Sequence, residues 1–114
     1  MNYIKHYRNE DWGSTILFME ENGISFARLY WYDDDKTTMY LSELSVSPIY
    51  RNEGIGTELQ VLREETCKLL GGKRTRLRVN KDTWMYDWYK RRGYKEIKYD
   101  LEDEDTIWME KKLV

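Results

Sequence analysis

Leu44-Ser45-Val46-Ser47-Pro48-Ile49-Tyr50-Arg51-Asn52-Glu53-Gly54-Ile55-Gly56-Thr57 carries an apolar strand through a turn into a helix. Pro48 has no N–H to give a ladder, so the strand ends just before it. Beyond Thr57, Leu59, Leu62, Thr66, Leu69 and Leu70 recur at helical spacing, while Glu58, Arg63, Glu64, Glu65 and Lys68 fall largely on the outside. Gly71-Gly72 stops the helix. Gly54 and Gly56 let the backbone turn tightly and approach a ligand closely. The first N–H groups of the helix lack intrahelical acceptors and sit at the positive end of its dipole, which suits a phosphate. Arg51 can add a charge-assisted hydrogen bond. A helix-start glycine pair without a ligand is an equally ordinary structural feature. Two nucleotide loops are excluded. A Walker A loop needs Lys after the last Gly, where Thr57 stands; the dinucleotide fingerprint needs a third Gly, where Leu59 stands.

Upstream, Thr15–Glu20 and Ile24–Tyr32 are apolar runs joined through Asn22-Gly23, a strong hairpin signal. Asp33–Lys36 is a polar turn, and Thr38–Val46 is a third strand. The three aspartates lack the alternating acids, central Gly and distal Glu of a calcium loop, so no metal site is expected there. Downstream, Arg74–Val79 alternates basic and apolar residues as a half-buried strand does. Asp82–Arg92 reads as a helix with Asp82 or Thr83 at its N-cap and Gly93 at its end. Trp84, Met85, Tyr86 and Trp88 read as side chains packed against the sheet. Tyr94–Leu101 and Thr106–Leu113 are final strands around the acidic turn Glu102–Asp105. The order β-β-β-α-β-α-β-β predicts a single α/β (α+β) domain over residues 1–114. Its sheet is mixed and mostly antiparallel, with one right-handed β-α-β crossover and helices on its faces.

The chain has 114 residues, of which 35% are charged and 15% aromatic, a composition of folded rather than disordered chains. Its net charge of −2 provides no general field for nucleic acid. The basic stripes Lys73–Lys81 and Lys90–Arg92 therefore read as surface beside an anionic ligand. Cys67, the sole cysteine, reads as a buried inert thiol. With His6 the sole histidine, neither a His-based triad nor a His-rich metal site is expected. No apolar run approaches the roughly 20 residues of a membrane span, and the N-terminus has no signal-like apolar segment. A cytoplasmic protein without membrane or nucleic-acid partners is expected.

The Leu44–Thr57 stretch closely resembles the central motif of the GNAT superfamily of N-acetyltransferases: a strand ending Leu-x-Val, a Pro two residues on, then Arg-x-x-Gly-x-Gly. Trp88-Tyr89-Lys90-Arg91-Arg92-Gly93-Tyr94 is similar to the family's Tyr-x-x-x-Gly-Tyr segment, and Trp108–Leu113 to its last strand. The resemblance covers roughly residues 38–113 and implies an acyl-CoA N-acyltransferase-like fold with acetyl-CoA as co-substrate. It implies that Arg51, Asn52, Gly54, Ile55, Gly56 and Thr57 bind the pyrophosphate, and that the main chains of Leu44 and Val46 bond the pantetheine arm. Tyr89 is implied as the acid beside the departing sulfur. Glu43 stands where family members often carry an acidic residue or bind water; it reads equally as the base and as a solvated or salt-bridged carboxylate. Tyr40 and Ser42 are further polar groups on that strand. Asn80 either caps its strand end or contacts the coenzyme arm. The implied reaction acetylates a primary amine of a small molecule or protein; the alternative is a non-catalytic coenzyme A-binding or regulatory module. Asp82 stands where the family usually has Asn. The segment Met1–Gly13 is too short for the two helices that build the acceptor side in family members. That side is expected to be open, missing, or closed by a partner such as a second copy in a homodimer.

Overall fold

The computed structural model describes residues 2–98 and 105–114. Its strands are β1 (Tyr3–Asn9), β2 (Gly13–Glu20), β3 (Ser25–Tyr32), β4 (Asp35–Val46), β5 (Arg74–Asn80), β6 (Lys95–Ile97) and β7 (Thr106–Lys112). Helix α1 spans Ile55–Leu69 and α2 spans Trp84–Arg91. They form one mixed sheet in the order β1-β2-β3-β4-β5-β7-β6, antiparallel throughout except for the parallel pair β4–β5 that α1 bridges. No helix is long and apolar enough to cross a membrane, among the described residues.

Strand β1 was not expected, because Tyr-Ile-Lys-His-Tyr-Arg-Asn lacks a clean apolar face and is largely exposed along its length. It forms on the edge that β2 offers, in register from Tyr3 opposite Glu20 to Asn9 opposite Ser14. Such an edge strand takes its stability from the ladder, which composition does not encode. Of the strand expected over Tyr94–Leu101, Lys95–Ile97 is β6. Residues 99–101, with most of the acidic turn at 102–104, lie outside the described residues.

Both helices pack on the same face of the sheet. Ile16, Phe18, Ala27, Leu29, Met39, Leu41, Leu77, Val79 and Met109 supply its core, with Leu59 and Cys67 of α1, Tyr89 of α2, and Tyr94. Arg63, expected on the solvent side of α1, is fully buried here. It lies four residues from both Leu59 and Cys67, so it shares their face. The opposite face carries aromatic side chains instead. Tyr30 is paired with Tyr40 across β3–β4 and stacks on it at 5.2 Å, and Tyr40 meets Trp108 edge to face at 5.9 Å.

Two irregularities in β4 shape the site. Ser42 pairs with Arg28 and Leu44 with Ala27, leaving Glu43 as the extra residue of a β-bulge, at φ 50°. A left-handed conformation costs a non-glycine residue about 1–2 kcal/mol. Simple strand alternation therefore does not run from Glu43 to Leu44 and Val46. Secondly, β4 and β5 pair only over Thr38–Tyr40 and Arg74–Arg76. Beyond Tyr40 and Arg76 the strands part, toward the start of α1.

Candidate active site

The split between β4 and β5 opens on the two sides of β4's far end. On one side lies a cavity of about 430 Å³ lined by the strand end Leu44–Val46, by Tyr50, Arg51, Asn52 and Gly54–Thr57, and by Trp84, Trp88 and Arg91 of α2. On the other is a slot of about 210 Å³ lined by Leu41–Leu44, Leu77–Asn80, Thr83, Met85 and Tyr89. Leu44 belongs to both. The loop residues, Leu44 and Val46 line the cavity, and Ser42, Glu43, Asn80 and Tyr89 line the slot, while Tyr40 lines neither.

The cavity's floor is the start of α1. Asn52 and Gly54 adopt positive φ, at 67° and 79°, and Gly54 is the N-cap. Glu58 donates the first intrahelical bond, to the Gly54 carbonyl at 3.0 Å. The N–H groups of Ile55, Gly56 and Thr57 precede it and have no acceptor in the helix. A Cβ on Gly56 would lie 3.9 Å from both Trp88 and Val46, in ordinary contact. A larger side chain would grow into the cavity, so Gly56 keeps the helix backbone bare toward a ligand. Arg51 turns back, its Nε donating to the Val46 carbonyl at 3.1 Å. That carbonyl is therefore already engaged, and Val46 offers less to a ligand than the sequence suggested. Arg92 lies over the Trp88 ring at 3.6 Å and donates to the Thr57 hydroxyl at 2.9 Å. Its guanidinium pKa is lowered, first by burial and then by neighbouring Arg91. Two arginines repelling each other beside exposed helix N–H groups make a place that an anion relieves.

Of the three α2 residues in this wall, one was misread and two show more than the sequence did. Trp84, expected to pack in the core, is 70% exposed and lines the cavity. Trp88 packs on the core while also facing the cavity. Arg91 sat in a basic run whose register on α2 only the fold fixes.

In the slot, the Glu43 carboxylate holds Arg28 Nε at 2.7 Å, with the Glu43 side chain 52% exposed. The salt-bridged reading of this residue is the one the structure displays. Asn80 uses its Oδ1 to accept from the Asp82 N–H at 2.9 Å, and its carbonyl accepts from the Thr83 hydroxyl at 2.8 Å. Asn80 therefore shapes the turn into α2, and its NH₂ end is not part of that turn. Thr83, rather than Asp82, is the N-cap of α2.

Tyr89 is buried at the slot's base, its phenol oxygen accepting from Arg63 Nη2 at 3.0 Å. The same guanidinium donates to Gln60 Oε1 at 2.6 Å, and through Nη1 to the carbonyls of Arg28 and Ser42, both at 3.1 Å. One buried cation thus ties α1 to the β4 bulge and to the α2 phenol. Behind it, Tyr94 donates to Glu64 at 3.0 Å, and Glu64 holds Lys111 at 2.8 Å. Burial, then the Glu64 charge, pushes the Tyr94 phenol well above its usual range, so it stays protonated and structural.

Residues 4–113 match the acetyltransferase (GNAT) domain. No curated protein matches the chain. Among solved structures, a protein of the acyl-CoA N-acyltransferase type from Klebsiella pneumoniae superposes with a TM-score of 0.75 at 16% identity, over 90% of this chain and 73% of that one. The PaiA N-acetyltransferase of Thermoplasma acidophilum, in complex with coenzyme A, gives 0.70 at 24% identity, over 86% of this chain and 59% of that one. A GNAT family acetyltransferase from Elizabethkingia anophelis with acetyl-CoA bound gives 0.70 at 14% identity, over 97% and 98%. At these identities the likeness is one of fold. With the domain match running almost from end to end, and with a parted β4–β5 pair leading to a glycine-started helix, this chain belongs to the GNAT acetyltransferase family.

Proposed function

We propose that the chain transfers an acetyl group from acetyl-CoA to a primary amine of a small molecule or protein. The parting of β4 from β5 beyond Tyr40 and Arg76, in line with the bare N-terminus of α1, carries this reading. The cavity's chemistry fits coenzyme A. The N–H groups of Ile55, Gly56 and Thr57, with Arg51, Arg91 and Asn52 around them, suit a pyrophosphate. Beyond Tyr40 the β5 side of β4 is open, and Leu44 there offers main-chain partners to an amide-bearing arm, as a sheet edge does to an added strand, while the Val46 carbonyl is held by Arg51. Trp84 and Trp88 give apolar wall.

Bound there, acetyl-CoA supplies a thioester whose carbonyl the amine attacks, the acetyl group passing to nitrogen as the C–S bond breaks. Glu43, at the bulge, takes a proton from the attacking amine, and Arg28 holds its carboxylate in place. Tyr89 gives its phenol proton to the leaving sulfur. Because Arg63 Nη2 donates to the same oxygen, the phenol's own hydrogen is left to point away from Arg63. Asn80, beside them in the slot, bonds the arm through its NH₂ end.

The test follows free thiol while the protein is mixed with acetyl-CoA and a panel of primary amines. Thiol release that depends on the amine is expected. A non-catalytic coenzyme-binding module is the second reading, favoured by the direct Arg28–Glu43 pairing, which occupies the proposed base. Coenzyme binding without turnover on any amine would establish that reading instead.

A further inference from the structure

Helix α2 turns two stripes toward the split. Met85 and Tyr89, four residues apart, line the slot; Trp84, Trp88 and Arg91, at i, i+4 and i+7, line the cavity. The thioester end of a bound coenzyme belongs with Tyr89, so the cavity stripe faces the rest of the ligand. Trp88 is already engaged. Arg92 lies over its ring at 3.6 Å, and Tyr89 meets it edge to face at 4.9 Å. A Cβ on Gly56 would come within 3.9 Å of Trp88, which sets the aromatic stripe against the first turn of α1.

Trp84 differs from it. It is the most exposed of the five tryptophans, and its indole has no ring, cation or hydrogen-bond partner among the described residues. It stands one helical turn before Trp88, about 6 Å along the axis. Tyr50, in the turn Pro48–Tyr50, adds a further ring to the cavity lining. A cavity that offers bare helix N–H groups, arginine and an unclaimed indole suits a ligand that joins phosphate to a flat heterocycle. Stacking of a base on an aromatic side chain needs an accessible ring face and no hydrogen-bond readout, and the Trp84 indole provides that. A phosphopantetheine arm alone has phosphate and amides but no flat ring to offer.

We propose that Trp84 is the platform on which the adenine base of coenzyme A stacks, so that the donor is the free nucleotide thioester rather than the same acyl group on a carrier protein's phosphopantetheine arm. The inference rests on the coenzyme reading of the cavity, and not on the identity of the acceptor or on which group takes the amine's proton.

Coenzyme A and 4′-phosphopantetheine are titrated into wild type, Trp84→Ala and Trp84→Phe, with Kd from calorimetry and the indole N–H resonances followed by NMR. Trp84→Ala is expected to weaken coenzyme A about tenfold, the loss of one base–aromatic stack, and to leave 4′-phosphopantetheine unchanged. Trp84→Phe keeps a ring and is expected to recover most of that loss. In wild type the Trp84 indole signal is expected to move with coenzyme A and to stay in place with 4′-phosphopantetheine. The side chain is exposed at the first position of α2, so the fold survives its loss. Coenzyme A that binds Trp84→Ala as tightly as wild type, or an indole signal unmoved at saturation, would overturn the platform. An equal loss for 4′-phosphopantetheine would assign Trp84 to the arm and overturn its role toward the base. A wild-type protein that does not bind coenzyme A would sink the coenzyme reading itself.

Discussion

Replacing Arg63 by methionine tests the joint that holds the site together. The side chain is fully buried and makes four hydrogen bonds, two of them to the main-chain carbonyls of Arg28 and Ser42 at the bulge. Methionine fills a comparable volume and donates nothing. Each carbonyl left buried and unpaired costs about 1–3 kcal/mol, with further loss at Gln60 and Tyr89. Against this, the guanidinium no longer has to be desolvated, and its Nε is already without a partner among the described residues. The balance is a destabilisation of about 3 kcal/mol, the unpaired carbonyls outweighing the relief of desolvation. For a domain of this size that lowers Tm by about 12 °C, taking roughly 4 °C per kcal/mol. Urea unfolding followed by circular dichroism gives the free energy. Because the bulge and Tyr89 lose a common anchor, kcat is expected to fall further than the KM for acetyl-CoA rises. Stability within about 1 kcal/mol of wild type, with kcat unchanged, would refute the reasoning.

Tyr89→Phe removes the proposed proton donor and leaves the ring; kcat is expected to drop by about 100-fold with the KM for acetyl-CoA nearly unchanged, and in a double-mutant cycle with Arg63→Met the losses in kcat are expected not to add. Gly56→Val directs methyl groups into the cavity from a position where a Cβ itself fits, so calorimetry is expected to show coenzyme A affinity down at least about tenfold while Tm changes little. Burial pushes the Cys67 thiol from its usual 9.0 up to about 12, so an aromatic disulfide reagent at pH 8 is expected to react with it only after unfolding. The unfolded thiol ionises first. Its contribution to stability is therefore intact below about pH 9 and is lost toward pH 12, by at most about 1.4 kcal/mol per pH unit; the buried Tyr94 phenol acts in the same direction, and Cys67→Ala removes the thiol's share of the slope.

The loop at Arg51–Thr57 was legible because its chemistry is local: glycines, a proline stop and an apolar helix stripe fix both the turn and the direction of the free N–H groups. The parallel crossover was legible for the same reason, since a strand, a helix and a strand in succession leave few other arrangements. What escaped depended on partners far along the chain. Strand β1 exists through its ladder with β2, and no apolar pattern in Tyr3–Asn9 announces it. Glu43 sits at an extra residue, and a bulge undoes any count by alternation. Arg63 carries a charge, and charge placed it outside; its spacing from Leu59 and Cys67 was the signal that set it inside. Trp84 has the composition of a core residue, yet it falls at the first position of α2, where one side faces the cavity.

The central claim is that coenzyme A lies in the β4–β5 split with its pyrophosphate on the start of α1. Titrating coenzyme A into isotopically labelled protein and following the backbone amides tests it most directly. The largest shifts are expected at Ile55, Gly56 and Thr57, with a second group along Leu41–Val46 and Leu77–Asn80. Saturable binding that leaves those three amides unmoved, or no binding at millimolar coenzyme A, would contradict it.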